Sequence, residues 1–112
     1  MERALSAASY FVSLSANRGV SVGVGANCES EDGERFVYRP ISSGRASALL
    51  TLRALAAAKT RHASSLASLA LEGLRRGLAA DEVVILTDAP EGEAQDAARL
   101  LRTRCSAEVI AL

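Results

Sequence analysis

Asp88 is the residue whose position most invites a chemical role. It closes the stretch DEVVILTDAPEGE, in which Val83 to Leu86 run into Thr87, Asp88 and Ala89 before Pro90, Glu91 and Gly92 halt them. An unbroken apolar run suits a parallel strand covered on both faces, and in open α/β sheets ligands bind at the carboxyl ends of the strands. A carboxylate there can contact a metal or a phosphate. It can equally cap the amides of the turn at Pro90 to Glu93. A hard cation such as Mg²⁺ takes several oxygen ligands from different segments, and one carboxylate cannot hold it.

Other residues offer weaker chemistry. His62, the only histidine, lies in KTRHASS beside Ser64 and Ser65. Nucleophilic catalysis needs a base next to an activated hydroxyl, whereas serines ahead of LASLALEGL read as helix caps. Gly23 and Gly25 of GVGANC imitate a dinucleotide loop, but that fingerprint opens a helix and ESEDGER does not read as one. Glu29, Glu31, Asp32 and Glu34 could attract a cation; at a hairpin tip they read as a solvated cluster that keeps the sheet edge from aggregating. Cys28 and Cys105 are too few and too far apart for a disulfide framework or a zinc site. They read as small buried apolar residues of a protein in a reducing cytoplasm.

The elements that must position these groups fit one domain, since 112 residues suffice for a single core. The formal net charge is zero and the 13 basic residues are spread along the chain, which argues against nucleic acid or an anionic membrane as partner. No apolar run approaches the roughly 18 residues of a membrane span, and MERALSAASYFVSLSANRG lacks a cleavage pattern. A soluble, cytoplasmic chain is expected.

Helical spacing of Leu5, Ala8, Phe11, Val12 and Leu14 predicts a first helix from about Glu2 to Ala16, stopped by Asn17, Arg18 and Gly19. VSVGVGANC then alternates with period two, as a strand does, and its glycine face would let a helix or another backbone approach closely. The turn ESEDGE is short enough to close only a hairpin, so RFVYRPI is expected antiparallel to that strand, with Pro40 at an edge or a strand end. Ala46, Leu49, Leu50, Leu52, Leu55 and Ala56 predict a second helix reaching about Lys59, and a third follows from about Ser65 with Leu66, Leu69, Ala70, Leu74 and Leu78 inward. The Val83–Leu86 strand comes next, then a helix from Glu91 to Arg104 through Ala94, Ala97, Ala98 and Leu101, and AEVIAL as a closing strand. Strands alternating with helices at this spacing predict a three-layer α/β domain.

The order ERALSAASYFVSLSANRGVSVGV, RFVYRPISSGRASALLTLRALAA, SSLASLALEGLRRGLAADEVVILTD and AARLLRTRCSAEVIAL resembles the von Willebrand factor A-like domain of the bacterial family catalogued as domain of unknown function fifty-eight. The resemblance covers essentially the whole of residues 1–112. It implies a doubly wound, mostly parallel, Rossmann-like sheet with one antiparallel hairpin strand. In metal-competent members it also implies a divalent-cation site at the carboxyl edge, built from Asp-x-Ser-x-Ser on the first, central strand, a Thr from a second loop and an Asp after the fourth strand. Asp88 matches the last position, and Thr60 or the pair Ser64 and Ser65 lies near the loop Thr. Asp-x-Ser-x-Ser occurs nowhere in the sequence.

The resemblance therefore implies a truncated domain that begins at the helix after the central strand and retains Asp88 as the remnant of a metal site. Mg²⁺ would bind only if another segment or chain supplied the missing ligands. The expected function is non-enzymatic: a protein–protein interaction domain, accessory to a MoxR-type AAA+ ATPase in complex assembly, and homodimeric through the two strands that lost their common neighbour. The alternative is a small ligand-binding or catalytic α/β domain using the strand-end edge around Asp88, Thr87 and Asn27, with Thr60, Ser64 and Ser65 nearby.

Overall fold

The computed structural model describes residues 2–87 and 91–112. Helix α1 (Glu2–Asn17) leads into strand β1 (Val22–Ala26), β2 (Val37–Ser42) and α2 (Arg45–Ala57); α3 (Leu66–Arg75), β3 (Glu82–Thr87), α4 (Glu91–Leu101) and β4 (Ser106–Ala111) follow. This is a mixed α/β chain, as the alternation predicts. The strands form two separate pairs: β1 with β2, antiparallel, and β3 with β4, parallel. Among the described residues no ladder joins β1 to β3, so the expected single sheet is divided between them.

Local chemistry accounts for the element ends. α1 stops where Gly19 takes a φ of 69°, with its amide bonded to the Ala16 carbonyl at 3.2 Å. An αL residue after a helix is the usual glycine stop. The two glycines of β1 serve two different approaches. A Cβ on Gly23 would lie 2.8 Å from both the Arg39 carbonyl oxygen and the Ile41 amide nitrogen, at the irregular step of the β1–β2 ladder. A Cβ on Gly25 would meet Leu69 Cδ1 of α3 at 3.3 Å. One glycine admits a neighbouring backbone and the other admits a helix.

α4 buries Ala94, Ala97, Ala98 and Leu101, the four residues its periodicity selects. The last three join Ala70 of α3 and Ile85 of β3 in one core; a second core gathers Cys28, Val37 and Ala58. Two expectations need correction. α2 turns Thr51 and Leu55 inward, followed by Ala58 just beyond its end, and leaves Leu49 and Leu50 about half exposed. Apolar residues nearly encircle that helix, so periodicity cannot choose a face, and packing on α1 and β2 does. In β3, Ile85 is buried but Val84 is 39 % exposed, so this run is not covered on both faces.

Candidate functional site

At the carboxyl end of β1 the chain builds a polar knot. Asn27, buried, donates through Nδ2 to the Ser64 carbonyl at 3.0 Å and lies 3.2 Å from His62 Nδ1. With Nδ2 donating, Nδ1 accepts and the ring proton belongs on Nε2. The Asn27 carbonyl accepts the Ala63 amide at 2.9 Å, and Cys28 forms an isolated antiparallel bridge with His62. Glu29 continues the clamp by pairing with Lys59 and Arg61. Those two cations, Arg61 first, lower the Glu29 carboxyl below its ordinary value. The loop at residues 58–65 is thereby tied down over the end of β1.

This geometry shows what each sequence candidate does. Ser65 is the N-cap of α3, its side chain accepting the Ser68 amide at 3.0 Å. Ser64 places its hydroxyl 3.4 Å from the Arg35 carbonyl. The Ser65 bond satisfies local backbone, and the Ser64 bond reaches a carbonyl 29 residues away. Thr60 is exposed between Lys59 and Arg61. Thr87 is buried at the end of β3, where its carbonyl accepts the Leu112 amide at 2.9 Å. Asp88 lies outside the described residues. His62 is held by Asn27, and no group of three His, Cys, Asp or Glu able to hold a metal occurs among the described residues. Cys28 is fully buried, and desolvation pushes its thiol pKa up; Cys105 is only partly buried. A raised pKa leaves the Cys28 thiol uncharged and a poor nucleophile.

The larger feature lies beside this knot. An open cavity of about 670 Å³ separates the two strand pairs, lined along one side by β1 and along another by β3, with α1 and α3 contributing Leu5, Ala8, Leu69 and Gly73. Phe11, Val20, Ile41 and Val84 line it as well, and all four are large apolar residues left at least 39 % exposed. Arg39 of β2 also lines the cavity, and its Nε is buried without a hydrogen-bond partner among the described residues. A buried, unpaired donor in a mostly apolar slot is costly unless something arrives to accept it.

Sequence reasoning missed Arg39 and Glu93. The signal for Arg39 was present: it is the one cation inside FVYRPI, an otherwise apolar run. Glu93 carried none, because its contact with the Leu66 amide at 2.8 Å spans 27 residues. Comparison of the chain with protein-family models, with curated proteins and with solved structures finds no match in any of the three.

Proposed function

We propose that this chain is a non-enzymatic protein-interaction domain of von Willebrand A type that works through the slot between β1 and β3. The observation supporting this is the gathering of Phe11, Val20, Ile41 and Val84, all exposed, around one cavity flanked by two strands that are each paired along one edge only among the described residues. Contiguous exposed apolar surface marks interaction sites, and strand edges left open are templates for pairing. On this reading the three-layer, doubly wound sheet is complete only when a further strand bridges β1 and β3. The partner is a protein: a MoxR-type AAA+ ATPase, with the resemblance as the sole support for that name, or a further copy of the chain. Mg²⁺ has a place only if the incoming segment brings ligands to Asp88.

A small-ligand site is the second reading, favoured by the cavity volume, which falls within the few hundred to about 1,000 Å³ typical of ligand pockets. Size-exclusion chromatography with light scattering separates the two. A protein-interaction domain forms a complex with the ATPase or with itself, and Val24→Asn, checked for an intact melt, weakens that complex. A chain that remains monomeric with every protein offered, yet saturably binds a lipophilic dye that Val24→Asn displaces, overturns the proposal in favour of the ligand site.

A further inference from the structure

We infer that the slot accepts one extended segment from outside residues 1–112, five or six residues long, apolar on both faces and carrying a carboxylate beside Arg39. This inference rests on the interaction reading above and specifies the partner's chemistry.

The length follows from the strands that bound the slot. β1 has five residues and β3 has six, and each is paired along one edge only among the described residues. An occupant bonding both edges must itself be an extended strand with both edges free, as in partners that add a strand to a sheet. Among the described residues a second copy of this chain offers no such strand, because each of β1 to β4 already has an edge engaged. Of its open edges, those of β1 and β3 also border its own slot. Edge-on contact between two copies would satisfy one edge of each, whereas an inserted strand satisfies two edges and covers the exposed Phe11, Val20, Ile41 and Val84. Enclosure on both edges and both faces is what brings so short a segment toward the roughly 1,000 Å² of a specific interface.

The apolar character follows from the lining, which includes Val22, Val24, Ile41, Leu69 and Val84. Charge follows from Arg39, whose buried Nε has no hydrogen-bond partner among the described residues. A guanidinium is always charged, and a carboxylate is the acceptor that best fits its planar fork.

The probe is a fluorescein-labelled peptide, Lys-Lys-Val-Ala-Val-Ala-Val-Asp-Lys-Lys, with lysines for solubility. Three comparisons accompany it: the same peptide N-methylated at alternate core residues, the Asp-to-Asn peptide, and the Arg39→Met chain. The inference expects saturable binding by fluorescence anisotropy with a raised melting temperature. N-methylation should weaken binding at least tenfold, because it removes the ladder donors along one edge. Arg39→Met and the Asn peptide should each weaken binding severalfold, and together no more than either alone. If Arg39→Met fails to fold, the Asp and Asn peptides on the parent chain still test the charge. Equal binding of the N-methylated peptide overturns strand insertion, and equal binding of the Asn peptide overturns the assigned carboxylate. A chain that ignores the probe but still associates with the ATPase or with itself overturns this inference alone. One that ignores the probe and every protein offered overturns the interaction reading as well.

Discussion

Glu93, in the first turn of α4, accepts the backbone amide of Leu66, the first residue of α3, on its Oε1 at 2.8 Å. The first amides of a helix lack intrahelical partners, and a carboxylate there satisfies one of them while complementing the helix dipole. Glu93→Ala should therefore lower stability by about 1 kcal/mol, the usual cost of losing a helix cap. Glu93→Gln should recover part of the loss, because the amide oxygen still accepts. Urea melts of the three proteins check the order.

The two glycines of β1 should respond unequally to alanine. Gly23→Ala sets a methyl 2.8 Å from two backbone atoms of β2, and Gly25→Ala sets one 3.3 Å from the flexible end of Leu69. Backbone cannot give way as a leucine methyl can, so Gly23→Ala should cost at least the 1–3 kcal/mol typical of overpacking and Gly25→Ala about 1 kcal/mol or less. Similar midpoints for both variants would contradict the close β1–β2 approach.

Adjacent residues of β3 offer a sharper contrast. Ile85 is 8 % exposed in the main core, while Val84 is 39 % exposed beside the cavity. Ile85→Asp should abolish the cooperative melt, since it buries an unpaired charge. Val84→Asp should keep a cooperative melt and weaken only partner binding. Circular dichroism on both variants tells these outcomes apart.

Glu72 supplies a pH dependence. Bonds from Arg75 and Arg76 hold its carboxyl at about 2, down from an ordinary 4.5. Because the folded value is depressed, the folded chain binds fewer protons than the unfolded chain between those two values. The stabilisation is complete above about pH 4.5 and is lost as pH falls toward 2. Parent and Glu72→Gln should differ in melting temperature at neutral pH and converge in acid. The difference should be small, since the pairs are exposed and screened.

Metal titration tests the implied remnant. Of the ligand set implied by the resemblance, only Asp88 has a definite match, so calorimetry with Mg²⁺ or Mn²⁺ should show no saturable site below the millimolar range of weak carboxylate clusters. A micromolar site lost in Asp88→Ala would show that the chain completes the site unaided.

The elements were legible in the sequence because each depends on neighbours in the chain. The alternation in VSVGVGANC, the run Val83 to Leu86 and the alanine stripe of α4 sit where their periods predict. Ser65 was legible as a cap for the same reason, since its bond reaches only to Ser68. Even the separate uses of Gly23 and Gly25 were foreshadowed by one bare strand face. Tertiary structure alone decided which face of α2 is buried, because leucines and alanines almost surround that helix and only contact with α1 and β2 breaks the tie. It alone brought Glu93 to Leu66 and Asn27 to Ser64, contacts whose partners lie 27 and 37 residues apart and leave no periodic trace. It also decided that β1 and β3 stand apart across a cavity, because strand pairing depends on what each edge can reach in space, and local pattern records only that an edge exists.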